Sequence, residues 1–317
     1  MAVHVLDTHC DVLSKLFQNP ELDFRKEASL LDVTVERLLA GKVKVQNFAI
    51  YLSERWNGDF KHVLDCVDLF LSRIVSEEPI HFVRTKQDLQ HVLSGTQIGA
   101  MLSLEGVDAL GGNLAYLRIL YELGLRSVGL TWNYANWAAD GVLEARKGGL
   151  TAKGRQLIAE CNRLGLVLDV SHLSEAGFWE LAELSERPFI ASHSNAGAIS
   201  PCLRNLNDGQ IAALIRKGGV IGITFVPPFV MPEEPVTMDK LLLHIDHICS
   251  LGGKRHIGFG SDFDGTSRWL IGLEHAGKYP DLADMLLNYY SADDVEHFLS
   301  KNWIRYFMNE LPEQQTL

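Results

Sequence analysis

The chain has 317 residues, 47% hydrophobic and 22% charged, enough apolar material for one large barrel or two small domains. Its formal charge of −11, without any basic run, argues against a nucleic-acid phosphate partner, which would require clustered Lys and Arg. No apolar stretch reaches the roughly 18 to 20 residues that span a bilayer, and Cys10, Cys66, Cys161, Cys202 and Cys249 never form a Cys-x-x-Cys pair, so no disulfide framework or zinc ribbon is expected.

The opening Met1-Ala2-Val3-His4 lacks the pattern of a signal peptide, and the final residues lack the apolar tail of a lipid-anchor signal. A soluble, cytoplasmic setting is the expectation. The first apolar run, Val3-His4-Val5-Leu6, reads as a strand ending on Asp7-Thr8-His9-Cys10-Asp11. A His and an Asp two residues apart can aim at one metal ion where the chain leaves extended geometry. Alone, such a pair is more often a turn with a solvated carboxylate.

Val45-Gln46-Asn47-Phe48-Ala49-Ile50-Tyr51-Leu52 reads as the second strand, followed by a helix with Val63, Leu64, Val67, Leu71 and Ile74 on one face. The third strand, 98–104, ends on Glu105-Gly106. A helix over 114–123, capped by Gly124, leads to the fourth strand at 127–131. Residues 133–149 form a polar, Gly-containing excursion suited to a loop over a site. A helix over 151–164 stops at Gly165. The fifth strand, 166–170, ends on Ser171-His172, and Ser174 is set to cap a helix over 175–184. The sixth, Pro188-Phe189-Ile190-Ala191-Ser192, ends on His193. A helix opens at Asn207-Asp208 and runs to Lys217. The seventh strand is 220–225, and the eighth, 257–261, ends on Asp262.

Eight short runs rich in Val, Ile and Leu, separated by helical patterns, point to parallel strands buried on both faces and closed as a (β/α)8 TIM barrel. With no linker composition or repeat beyond this alternation, residues 1–317 read as a single domain with a C-terminal helical extension. Active sites of such barrels lie at the carboxyl ends of the strands. Here those ends carry His9 and Asp11, Glu105, Trp132, His172, His193 and Asp262. One His at a strand end is usually structural, but metal-ligand types at five of eight ends are hard to obtain as separate accidents. Glu105 can lie between a His9–Asp11 pair and a His172–His193 pair, as in a two-metal site with open positions for water. A water shared by two cations loses a proton easily, and Asp262 is placed to accept it and pass it to a leaving amine.

Asp7-Thr8-His9-Cys10-Asp11, Leu104-Glu105-Gly106, Asp169-Val170-Ser171-His172, Ser192-His193-Ser194, Arg204-Asn205 and Gly258-Phe259-Gly260-Ser261-Asp262-Phe263-Asp264-Gly265 together resemble the ordered motifs of the membrane (renal-type) dipeptidases, the M19 peptidases. The likeness continues through Gly272-Leu273-Glu274 and Lys278-Tyr279-Pro280-Asp281-Leu282, and so covers nearly the whole chain. It implies a zinc-dependent barrel metallopeptidase that cleaves dipeptides, commonly tolerating a C-terminal D-residue. By the resemblance His9 and Asp11 hold one Zn2+, His172 and His193 a second, Glu105 bridges them, and Asp262 is the acid/base. Arg204 clamps the substrate carboxylate, a task suited to a guanidinium fork. A homodimer is likewise only what the family suggests.

Two positions depart from the pattern. The family usually has a His after the Leu-Thr of strand four, where it helps hold the oxyanion; here Trp132 follows Leu130-Thr131. An indole donates one hydrogen bond and cannot become charged, so Trp132 reads either as a pocket donor or as an apolar wall. The family tyrosine at the substrate carboxylate falls at Phe229. His244 and His247 read as helix–barrel packing, Cys10 should point away from its neighbours, and Asp7 and Asp264 either orient ligands or are turn residues. Alternative readings are an amidohydrolase acting on N-acyl amino acids or cyclic amides, and a weakly active barrel that binds a peptide-like ligand.

Overall fold

A computed structural model describes residues 4–26 and 29–314. Val3, the start of the expected opening strand, lies outside them, as do Gln315, Thr316 and Leu317 at the end. The chain folds as a parallel barrel of β/α units. Its strands are β1 (Val5–Asp7), β2 (Val43–Tyr51), β3 (Ile80–Phe82), β4 (Ile98–Glu105), β5 (Leu125–Gly129), β6 (Val167–Asp169), β7 (Ile221–Ile223) and β8 (Ile257–Phe259). Hydrogen bonding runs β6-β5-β4-β2-β1-β8-β7.

The circle is completed by the sixth expected strand, 188–192, which is not an extended strand but two single parallel bridges, Asp169↔Ile190 and Ala191↔Ile221. The reason lies at Ser192. Its carbonyl accepts from Thr8 Oγ1 of the first stave at 2.9 Å. A Cβ on Gly260 would fall 1.8 Å from the same oxygen, so only glycine allows this approach. The diverted stave keeps one ladder step on each side.

Sequence reading also passed over β3. It pairs with Ile98–Ala100 at the start of β4, on the edge that β5 takes over at Leu102–Glu105, while β2 occupies the other edge. Three residues containing a His carry no readable period. The expected fourth strand, 127–131, begins two residues earlier, at Leu125.

Helix ends follow their caps. Ser174 accepts from Gly177 N at the head of Glu175–Leu184, and Asn207 forms a capping box with Gln210 at the head of Asp208–Lys217. Gly165 closes Ala152–Leu164 in the left-handed region, φ 73°. The helix expected around Val63 is Phe60–Leu69, continued as a π-helical segment Phe70–Val75.

Two apolar clusters divide the interior. The larger fills the space between strands and helices, whereas the smaller joins inward residues such as Leu6, Val45, Met101 and Val220 to Trp303, Tyr306 and Phe307. The helix Asn302–Glu310 therefore plugs the barrel floor, opposite the strand ends that carry the site. Asn302 Nδ2 donates to Ile257 O at 2.8 Å, and Trp303 Nε1 to Phe259 O at 3.2 Å. Trp303 is fully buried. Trp303→Ala should lower the free energy of unfolding by about 3–5 kcal/mol, read from urea denaturation; a loss below about 1 kcal/mol would show that the plug is not part of the core.

Candidate metal centre

Beyond Asp7 the β1 stave stays paired with that of β8: Asp262 N donates to His9 O at 3.1 Å and Asp11 N to Phe263 O at 2.9 Å. Asp7 ties the two together, accepting from Ser261 N (2.9 Å), Ser261 Oγ (2.6 Å) and His9 N (3.2 Å). Asp7 is thus a strand-end anchor. Cys10 faces away, its thiol on Asn47 O, as strand alternation requires.

His172, Asp262 and Asp264 have φ of 67°, 65° and 69°. Left-handed backbone at residues other than glycine costs on the order of 1–3 kcal/mol and persists only where the surroundings enforce it. At Asp264 the enforcement is visible: its carboxylate accepts from Asp32 N (2.8 Å), Val33 N (2.9 Å) and Lys15 Nζ (2.8 Å). Asp264 therefore fastens a loop, and among the described residues its carboxylate makes no hydrogen bond to an imidazole.

The side chains so placed converge. His9 Nε2 lies 3.3 Å from Asp11 Oδ2, 3.5 Å from Glu105 Oε2 and 3.9 Å from Asp262 Oδ1. The other carboxylate oxygen of Glu105, Oε1, is 2.8 Å from His172 Nε2 and 3.5 Å from His193 Nε2. Ligand-capable atoms of His9, Glu105 and His193, and of His9, Asp11 and Asp262, form two groups compact enough for a metal ion. Gly265 adjoins the second group, where a Cβ would fall 2.3 Å from both Asp11 Oδ2 and Asp262 Oδ1.

Hydrogen bonds behind the rings fix what the rings present. The Ser192 hydroxyl donates to Asp169 Oδ2 and so must accept from His193 Nδ1, at 2.7 Å. His172 Nδ1 donates to Asn133 Oδ1 at 2.8 Å. Both imidazoles consequently aim Nε2 lone pairs inward, only 2.9 Å apart and beside a carboxylate. His9 Nε2 and Asp11 Oδ1 are buried without a hydrogen-bond partner. The facing lone pairs of His172 and His193, and the acidic oxygens gathered around His9, are what a cation satisfies, and these nitrogen and oxygen donors suit zinc.

Charge balance agrees. Burial opposes a charge on His9, yet Glu105, Asp11 and Asp262 raise it to about 10. Burial, helped by Arg204, lowers His172 to about 4. Burial disfavours ionisation of Glu105, but His9 and His172 hold it well below the usual carboxylate range. Asp262 is pushed well above that range by burial, with Asp11 and Glu105 adding to the effect against His9.

The remaining expected residues line the same mouth. Arg204, 5% exposed, donates from Nη2 to His193 O (3.1 Å) and from Nη1 to Ser194 Oγ (3.5 Å), while its buried Nε has no partner. Its guanidinium carbon sits 5.4 Å from the centre of the Phe229 ring. Among the described residues it has no carboxylate partner within salt-bridge distance. Trp132 packs between Tyr51 and His172, at ring-centre distances of 5.2 and 6.1 Å, and so forms an aromatic wall.

Sequence reading missed the supporting groups. Asp169 and Ser192 lie within the motifs that resemble the family, and Asn133 opens the expected site loop, but nothing in a linear pattern pairs them with ring nitrogens. Tyr51 ends β2 directly across from Glu105 in the sheet register; its place at a strand end was the available signal. His244 is a packing residue, accepting from Ala196 N and contacting Val230 O.

A barrel with this cluster at its strand ends has the architecture of a metal-dependent hydrolase. The chain belongs to the membrane dipeptidase family, peptidase family M19, whose pattern matches residues 1–316, and so to the metal-dependent peptide-bond hydrolases. It is similar to Dipeptidase aclJ of Aspergillus oryzae, 32% identical over 290 residues that cover 86% of this chain and 68% of the relative. The crystal structure of the M19 metallopeptidase dipeptidase AC superposes with a TM-score of 0.91 at 28% identity, covering 99% of this chain and 100% of that one. A metallopeptidase of Rhodobacter sphaeroides, solved with a phosphinate mimic of L-Ala-D-Ala, gives 0.89 at 28% identity, covering 98% and 99%. Among the described residues, no helix is long and apolar enough to cross a membrane.

Ser192→Ala would free His193 Nδ1 from its acceptor and Asp169 from its donor. Metal affinity should fall about 10–100-fold, measured by competition with a chromophoric chelator; wild-type affinity would refute the orienting role.

Proposed function

We propose that this chain is a dipeptidase that works with two zinc ions, hydrolysing L-Xaa-D-Xaa and related dipeptides at the mouth of the barrel. The observation that carries the reading is the two-sided carboxylate of Glu105, with one oxygen toward His9 and the other toward His172 and His193. In this reading His9 and Asp11 would hold one ion and His172 and His193 the other, with Glu105 serving both. The ions would supply a Lewis acid for the peptide carbonyl and lower the pKa of water to near neutrality.

The protein's own groups do the rest. Asp262 handles the proton: its carboxylate stands beside His9 and Asp11 at the strand ends, placed to accept the proton of the attacking water and pass it to the departing amine. Arg204 has no carboxylate of its own and offers its guanidinium to the C-terminal carboxylate of the peptide, with Phe229 supporting its face. Trp132 bounds the opposite side as an aromatic wall. The ligand of the Rhodobacter sphaeroides relative, a mimic of L-Ala-D-Ala, favours the L-Xaa-D-Xaa class. All five cysteines are free, in keeping with a cytoplasmic setting.

Zinc-loaded protein should release amino acids from a panel of L-Xaa-D-Xaa and L-Xaa-L-Xaa dipeptides. Absence of release from every member, with turnover of N-acyl amino acids or cyclic amides instead, would replace this reading with another amidohydrolase. Asp262→Asn should lower kcat at least 100-fold, within the usual range for a lost general acid/base, while the metal content measured by atomic emission stays at the wild-type level. Arg204→Ala should raise KM about 10–100-fold, the worth of a charged hydrogen bond, with a smaller change in kcat; an unchanged KM would remove Arg204 from substrate binding.

A further inference from the structure

The cavity that contains Arg204 continues well past the metal centre. It measures about 900 Å³ and is bordered by His172, Ser194 and Arg204 at its inner end and by Ala176, Trp179 and Leu203 farther out. A dipeptide of two small residues has about a dozen heavy atoms. At roughly the 30 Å³ that a water occupies in the liquid, it would fill on the order of 300–400 Å³. More than half of the space is left over.

The surplus has a built apolar wall. Trp179 is 40% exposed and Leu203 61% exposed, two large apolar side chains that line the same cavity. Trp179 is nonetheless held in place. Its ring lies over Gly209, where a Cβ would be only 3.5 Å from Cζ2, and it meets Phe178 edge-on at 5.1 Å. The acids on the same lining are occupied: Glu175 accepts from Asn207 Nδ2 at 2.8 Å and Asp208 pairs with His247 at 2.7 Å. Lys147, at the rim, is an exposed cation.

We propose that this cavity is a specificity pocket for a bulky apolar or aromatic C-terminal residue, with Trp179 and Leu203 as its determinants. The inference rests on the reading of Arg204 as the carboxylate clamp. A C-terminal carboxylate anchored there places the adjoining side chain in the same cavity, against a preformed aromatic platform that loses little entropy on contact.

The test compares Gly-D-Phe, Gly-D-Leu, Gly-D-Ala and Gly-D-Glu on the zinc-loaded enzyme, and as ligands of zinc-loaded Asp262→Asn by calorimetry. The Phe to Ala ratio of kcat/KM, and of affinity, should exceed about 10, and Trp179→Ala should lower that ratio at least about tenfold. Leu203→Ser should act in the same direction. A ratio near unity, or one that Trp179→Ala leaves unchanged, overturns the proposal; so does a preference for Glu that Lys147→Ala abolishes. Should no dipeptide be cleaved, the dipeptidase reading fails by itself, while the affinity ratios still decide for or against the pocket.

Discussion

The arrangement on which the rest depends is a buried carboxylate, Glu105, set among the imidazoles of His9, His172 and His193. Removing a charge from water costs several kcal/mol, and an unmatched one would be expelled or neutralised. Here matching demands that side chains from widely separated points of the chain arrive together within a few tenths of an ångström. That requirement explains why backbone strain gathers at His172 and Asp262, and why Asp264 is held by three donors two residues farther on. Strain placed where ligands must be aimed can persist only on a rigid support.

The barrel supplies that support at a cost to its own regularity. The stave at 190–191 keeps only single bridges because the Ser192 carbonyl turns inward to Thr8, and the same residue's hydroxyl links Asp169 to His193. One serine therefore serves both the closure of the barrel and the tautomer of a candidate ligand. At the other end the floor is plugged by Trp303 and its neighbours, so the packing that holds the barrel shut lies away from the chemistry.

Most of this was legible in the sequence because parallel strands buried on both faces are runs of branched apolar residues, and polar residues at their ends stand out. His9, Asp11, Glu105, His172, His193 and Asp262 were recognisable for that reason, and the structure brings them to one place. What could not be read depends on contacts across the fold. The strand at 80–82 is too short to show a period, and the shortened stave at 188–192 is a consequence of Thr8, 184 residues away from Ser192. The pairings of Ser192 with His193 and of Asn133 with His172 are likewise products of barrel geometry. Asp7 and Asp264, ambiguous in sequence, hold backbone and loop.

The two sides of the mouth differ in what they can offer a peptide. On the Glu105 side, Trp132 packs against Tyr51 and His172, and Tyr51 stands across from Glu105 in the sheet, so this wall is aromatic. On the other side Arg204 presents a buried guanidinium without a carboxylate partner, and the adjoining space is large. In the proposed dipeptidase, an indole where the family resemblance expects an imidazole offers one hydrogen bond and no positive charge beside the scissile bond. Binding on the aromatic wall then contributes mainly shape and dryness, whereas orientation must come from the charged side. A substrate anchored by its C-terminal carboxylate is thereby discriminated chiefly through the residue that bears it, which places selectivity next to Arg204 rather than next to Trp132.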